Sequence, residues 1–155
     1  MIGLRHLTMD DAGAVGRIRS GASMRFIPAR QPRPESALEW LTRVLSYADV
    51  VPHACWYWGI TSGDDLVGLT SIRRYPHGEG CLSYILREDC WERGYGTDAV
   101  REMVAFAFSV VGLDTLTAKH HPDNPASGRV LIKAGFTCRG VEHGYLSYAK
   151  DCANG

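Results

Sequence analysis

The residues best placed to do chemistry are Trp91-Glu92-Arg93-Gly94-Tyr95-Gly96-Thr97. Two glycines one residue apart leave backbone N–H groups unobstructed by Cβ, so several can turn toward one point. A helix-like run from Asp98 to about Val111 opens directly behind them. Its first N–H groups lack partners within the helix, and its macrodipole adds positive potential there. This arrangement suits a phosphate-bearing ligand. A strand-to-helix turn that merely requires glycine has the same sequence signature. A P-loop would need Gly-x-x-x-x-Gly-Lys-Ser/Thr, and no Lys-Ser or Lys-Thr follows these glycines. A dinucleotide fingerprint fits formally as Gly94-Tyr95-Gly96-Thr97-Asp98-Ala99, but it belongs in a parallel βαβ unit. About ninety residues precede the loop, and their alternation reads as antiparallel.

The elements that must position this loop follow from the rest of the chain. Ile2 to Leu7 predicts a short strand, and Thr8 caps a helix from about Met9 to Ser20, closed by Gly21. Residues 22–33 carry no periodicity; with Arg25, Arg30, Arg33, Met24 and Phe26 they form a loop that lines a site or simply solvates the surface. Pro34 suits the first turn of a second helix reaching Tyr47. Ala54–Thr61, Leu66–Tyr75 and Cys81–Leu86 read as strands joined by short turns, an antiparallel meander. Trp56 and Trp58 share one face of the first of these, and such stripes are core. After the glycine loop, Val100, Met103, Val104, Ala107 and Val110 form a buried helical stripe. Thr115–His120 is a strand with Leu116, Ala118 and His120 on one face. Asn124 caps a helix whose first residue is Pro125, and strands Phe136–Glu142 and Tyr145–Lys150 meet at His143-Gly144. The order β-α-α-β-β-β-α-β-α-β-β predicts an α/β (α+β) fold: a mixed, mostly antiparallel sheet of about seven strands, flanked by about four helices.

Composition narrows the function classes. A chain of 155 residues fits a single domain spanning 1–155 with a real core. Seventeen basic and seventeen acidic side chains cancel, so charge gives no pointer to nucleic acid or an anionic membrane. Five cysteines without C-x-x-C spacing argue against a disulfide framework and against zinc, and fit a cytoplasmic protein. No apolar run approaches about 18 residues, and the start has no leader pattern. Monomer and homodimer both stay open.

Trp91-x-x-Gly94-x-Gly96 resembles the acetyl-CoA pyrophosphate loop of the GNAT superfamily of N-acetyltransferases, written Q/R-x-x-G-x-G/A. Trp91 replaces the general Gln or Arg, as it often does in the RimJ/RimL-like branch, and Gly94-Tyr95-Gly96-Thr97-Asp98-Ala99 is similar to that branch's Gly-Tyr-Ala-Thr-Glu-Ala. A second block resembles the branch's H-P-x-N-x-x-S…L-x-K-x-G-F: His121-Pro122-Asp123-Asn124-Pro125-Ala126-Ser127, then Leu131-Ile132-Lys133-Ala134-Gly135-Phe136. The close resemblance covers about residues 81 to 137; the first fifty residues match only in layout.

The resemblance implies acetyl-CoA as cofactor, its pantetheine arm between splayed strands four and five. Tyr84, Ile85 and Leu86 would offer backbone hydrogen bonds to that arm. Trp91, Glu92, Arg93, Gly94, Tyr95, Gly96 and Thr97 would hold the pyrophosphate, with Asn124 and Ser127 alongside. A neutral amine would attack the thioester, with the oxyanion stabilised by the N–H near Leu86. The family's usual Tyr acid, seven residues after the Asn, is Leu131 here, which leaves Ser127 as the group nearest the sulfur. A serine at a helix start also bonds readily to backbone. Glu79 and His120 are the candidate bases. The branch's Glu aligns with Cys81, so Glu79 is displaced by two residues, on the same face; the family has an apolar residue at His120, and a buried histidine is most often simply hydrogen-bonded. The arginine-rich loop 22–33 and the 143–144 turn would form the acceptor pocket. Three classes follow: an N-acetyltransferase for a protein α-amine, an amino acid or an amine-bearing small molecule; a catalytically silent CoA-binding module; and a nucleotide-binding protein unrelated to acyl transfer. No metal is implied.

Overall fold

Seven strands pair into one sheet in order β1-β2-β3-β4-β5-β7-β6. They are β1 (Ile2–Arg5), β2 (Cys55–Ser62), β3 (Asp65–Arg74), β4 (Glu79–Leu86), β5 (Thr115–His120), β6 (Thr137–Glu142) and β7 (Tyr145–Asp151). The computed structural model describes residues 2–26, 35–50 and 53–152. Every neighbouring pair is antiparallel except β4 and β5. The β6–β7 turn is the two-residue kind: His143 and Gly144 both take positive φ, 52° and 85°, the backbone twist that a tight hairpin requires.

Helices cover both faces. They are α1 (Ala12–Ile18), α2 (Gly21–Arg25), α3 (Ala37–Ser46), α4 (Tyr95–Phe106) and α5 (Pro125–Lys133). On one face, Val15 and Ile18 of α1 and Trp40, Leu41 and Val44 of α3 pack on Leu66 and Leu69. On the other, Val100 and Met103 of α4 and Leu131 of α5 pack on Ile72, Leu82 and Leu116, with Trp56 and Trp58 against them. Both tryptophans meet Phe106 edge-on, so the aromatic stripe packs, half-buried, against the core. Each fully buried side chain of this size contributes about 1.5–3 kcal/mol relative to exposure.

The local boundaries differ from the sequence expectation in five places. Gly21, at φ 53°, does not only close a helix; it opens α2, which turns part of the expected 22–33 loop into a fifth helix. Residues 27–34, with Arg30, Arg33 and Pro34, lie outside the described residues, and the start of α3 is set by Ser36. Its hydroxyl accepts the Glu39 N–H at 3.1 Å while the Glu39 carboxylate accepts the Ser36 N–H at 3.3 Å. α4 begins at Tyr95 rather than Asp98. Its continuation, Ala107–Val111, is a π-turn. That wider turn rotates Val110 off the buried stripe, leaving it 69% exposed while Ala107 is fully buried. Asn124 stands at the start of α5, but its side chain makes no capping bond; its carbonyl accepts the Ser127 N–H at 3.2 Å.

Among the described residues no helix is long and apolar enough to cross a membrane.

Candidate active site

The sheet parts between β4 and β5. Their parallel pairing consists of Glu79↔Thr115, Gly80↔Leu116 and Cys81↔Thr117, and it goes no further. Beyond Cys81, β4 stays paired to β3 as far as Leu86, and β5 stays paired to β7 as far as His120. A slot therefore opens between the carboxyl ends of two parallel strands.

Register decides which backbone groups face the slot. Tyr75 N–H donates to Glu79 C=O at 2.7 Å and Arg87 N–H to Val67 C=O at 2.8 Å, so the odd-numbered residues of β4 bond to β3. Tyr84 and Leu86 alternate with them and turn their N–H and C=O groups the other way, into the slot. Leu86 C=O is already taken, by Ser23 Oγ at 2.6 Å and Trp91 Nε1 at 3.2 Å. These two bonds fix the end of β4 and leave the N–H groups of Tyr84 and Leu86 as the donors there. Nothing in the sequence pointed to buried Ser23.

The glycine loop closes the upper end of the slot. Gly94 adopts φ 80°, ψ 0°, and acts as the N-cap of α4. The first helical bond there is Asp98 N–H to Gly94 C=O at 3.1 Å, so the N–H groups of Tyr95, Gly96 and Thr97 precede it. A Cβ on Gly94 would meet no atom within 4 Å, so this backbone is open to a ligand. A Cβ on Gly96 would touch Tyr84 Cε2, Val130 Cγ2 and Leu86 Cδ1 at 3.4–3.6 Å, ordinary contact distances. Glu92 also takes positive φ, 63°, and Trp91, Glu92 and Arg93 are exposed around the loop. Tyr95 turns aside, its hydroxyl 3.2 Å from Ser62 Oγ.

Ser127, one turn into α5, faces this assembly. Tyr84 donates its hydroxyl to Ser127 Oγ at 3.1 Å. The expectation for Tyr84 concerned its backbone alone; alternation with Leu82 and Leu86, which pack toward α4, is the signal that places its side chain on the same face. Burial pushes the Tyr84 phenol up from its ordinary range, and the Ser127 contact pulls it partly back.

The two candidate bases stand at opposite ends of their strands: Glu79 begins β4, and His120 ends β5, beside Gly128 of α5. Glu79 is exposed in the paired part of β4. Five residues separate it from Tyr84, about 17 Å along the strand. His120 is buried at the end of β5. Its Nδ1 lies 2.8 Å from His121 C=O, which can only accept, so Nδ1 carries the proton. Its Nε2 lies 3.1 Å from the Tyr148 hydroxyl. Both nitrogens are occupied by structural bonds.

Of the segments expected to form the acceptor pocket, the 22–33 stretch reaches His121 through Phe26, and Tyr145, next to the 143–144 turn, reaches the same ring. Phe26 and His121 rings lie 5.4 Å apart, and His121 meets Tyr145 edge-on at 5.8 Å. Arg25, Phe26, His121 and Asp123 line a cavity of about 450 Å³. Among the described residues no cluster of three or more His, Cys, Asp or Glu could hold a metal ion.

Comparison with known proteins matches this architecture. The curated relatives include an uncharacterized N-acetyltransferase of Bacillus subtilis, YoaA, 30% identical over 93 residues, 57% of this chain and 52% of the relative. Another is an uncharacterized N-acetyltransferase, p20, of Bacillus licheniformis, 24% identical over 53% of this chain and 47% of the relative. The chain thus spans about half the length of the curated relatives it matches. Among solved structures, Mycobacterium smegmatis RimJ in complex with CoA-disulfide superposes with a TM-score of 0.84 at 21% identity, over 99% of this chain and 83% of that one. A ribosomal-protein-S5-alanine acetyltransferase from Vibrio fischeri gives 0.77 at 20% identity, over 97% and 92%. At these identities they speak for the fold. The family profile described as "Acetyltransferase (GNAT) domain" matches residues 2–137, and the chain belongs to that family.

Proposed function

We propose that this chain is an acetyl-CoA-dependent N-acetyltransferase of the RimJ/RimL-like branch, acting on a primary amine of a protein N-terminus, an amino acid or a small molecule. One observation carries the reading: an anion-receptive helix start, open at Gly94, stands at the end of a slot whose walls present unpaired strand N–H groups and the Ser127 hydroxyl. Bound there, acetyl-CoA supplies an activated acyl group as a thioester. The N–H groups of Gly94, Tyr95, Gly96 and Thr97 bind the pyrophosphate. The N–H groups of Tyr84 and Leu86 would orient the arm, and the Leu86 N–H would be the donor for negative charge on the thioester oxygen. Ser127 would be the hydroxyl offered to the sulfur.

The test has two arms. Acetyl-CoA should raise the melting temperature where ATP and NAD do not, because a ligand that binds only the folded state stabilises it. Thiol release against a panel of amines should then identify an acceptor, and Ser127→Ala should lower kcat about tenfold with little change in acetyl-CoA affinity. Stabilisation by ATP or NAD alone would remove the cofactor assignment; an unchanged kcat would make Ser127 a helix-start residue only. The competing reading, a CoA-binding module without turnover, draws on Leu131 standing where the usual Tyr acid belongs. It predicts the thermal shift without thiol release from any amine.

Proton removal from the amine follows from the same geometry. With Glu79 distant and both His120 nitrogens engaged, the acceptor enters as free base. The kcat/KM profile should rise toward the amine's own pKa, about 7.7–8.0 for an α-amine or 10.4 for lysine. Glu79→Gln should leave its shape unchanged. A loss at neutral pH that recovers at high pH would return Glu79 to the role of base, acting through water.

A further inference from the structure

The Tyr84 side chain spans the slot from β4 to α5. Its ring lies beside the first turn of α4, with Cε2 3.4 Å from where a Cβ on Gly96 would sit. Its hydroxyl bonds to Ser127 at 3.1 Å, across 43 residues of sequence. A serine hydroxyl carries one proton and two lone pairs and rotates freely when unpinned. Here one lone pair is occupied by the Tyr84 O–H. The serine proton is thereby left for another acceptor, and its directions are restricted.

Resting on the acetyl-CoA reading above, we infer that Tyr84 is a positioning residue whose hydroxyl holds Ser127 Oγ so that the serine proton points at the departing sulfur. As the amine nitrogen bonds to the acyl carbon, the C–S bond breaks and its electron pair goes to sulfur. The nitrogen sheds one proton to solvent. Ser127 keeps its proton and donates it as a hydrogen bond to the thiolate, which takes up a solvent proton on release. Full transfer from serine is not required, since a thiol is a far stronger acid than an alcohol. Tyr84 polarises the serine O–H, and its half-buried phenol, pushed above the ordinary range, remains a donor at neutral pH.

The consequence can be read on CoA itself, without an acceptor amine. A hydrogen bond to the charged form lowers a group's pKa. CoA labelled with ¹³C at the carbon beside the sulfur would be titrated by NMR on the wild-type protein and on Ser127→Ala, Tyr84→Phe and the double variant. Each single variant should raise the bound thiol's pKa by about one unit relative to wild type. The double variant should go no higher than Ser127→Ala, because Tyr84 acts through the serine. CoA affinity should stay within about threefold throughout. A Tyr84→Phe titration superimposed on wild type would overturn the inference. So would a Tyr84→Phe protein that loses CoA affinity and melting temperature with the thiol unmoved, since that is a packing strut. If CoA fails to stabilise the wild-type protein at all, the cofactor assignment falls first and this role falls with it.

Discussion

Gly94→Val is expected to abolish the thermal shift given by acetyl-CoA and to cost the free protein about 1–2 kcal/mol. The second figure comes from backbone geometry. Gly94 sits at φ 80°, where an L-residue's Cβ crowds the following carbonyl, and a β-branched residue suffers most. The first comes from the open space above it. A valine there meets no protein atom near its Cβ, so its bulk occupies the volume in which the pyrophosphate would approach the N–H groups. Gly96→Ala is the control. Its Cβ would rest at ordinary distances from Tyr84, Val130 and Leu86, and alanine favours the helix by about 1 kcal/mol. That variant should keep both its stability and its acetyl-CoA shift. A full shift retained in Gly94→Val would mean that the loop does not hold the cofactor, whatever the fate of the fold.

Gly128→Ala should destabilise by about 1–3 kcal/mol, against the usual direction for such a change. Inside a helix, glycine to alanine ordinarily stabilises by about 0.5–1 kcal/mol. Gly128 is buried in α5, and a Cβ there would fall 2.7 Å from His120 Nε2 and 2.8 Å from Tyr148 Oη. Those are the two atoms that bond to each other at 3.1 Å. The methyl group must part them, and a buried polar pair left unsatisfied is expensive. A urea titration read as a midpoint at constant slope would show the loss. A variant as stable as wild type would mean that the pair yields freely, and the structural reading of His120 would be withdrawn.

How much of this was legible in the sequence depended on whether a signal was local. Gly94-x-Gly96, the strand before it and the helix after it lie within some thirty residues, and their spacing placed the loop at a helix start. Short turns between the strands pointed to the antiparallel meander, and the order of elements to the mixed sheet. Alternation put Glu79 on the face of Cys81, yet a period of two says nothing about depth along the strand, and Glu79 ended in the paired region. Val110 was misplaced because a constant helical angle was assumed through a π-turn. The Tyr84–Ser127 bond and the meeting of Phe26 with His121 had no local trace, since each joins segments far apart in the chain. Ser23 is the extreme case: a small polar residue in an aperiodic stretch that proves to hold the last carbonyl of β4.

The slot is also a seam in the chain's assembly. β1 to β4 come from residues 2–86 and β5 to β7 from residues 115–151, and every antiparallel ladder lies within one of these halves. Among the described residues, only the short parallel register Glu79–Cys81 with Thr115–Thr117 stitches the two halves of the sheet together. Hairpin ladders close small loops and form early, whereas a parallel register must wait for a crossover to close. The β2–β3–β4 meander and the β6–β7 hairpin can therefore form before that register closes. The edge groups that the register leaves unmatched, at Tyr84 and Leu86, are those to which an extended ligand can bind as a strand neighbour would. On this view the candidate site is the part of the sheet that folding leaves unfinished.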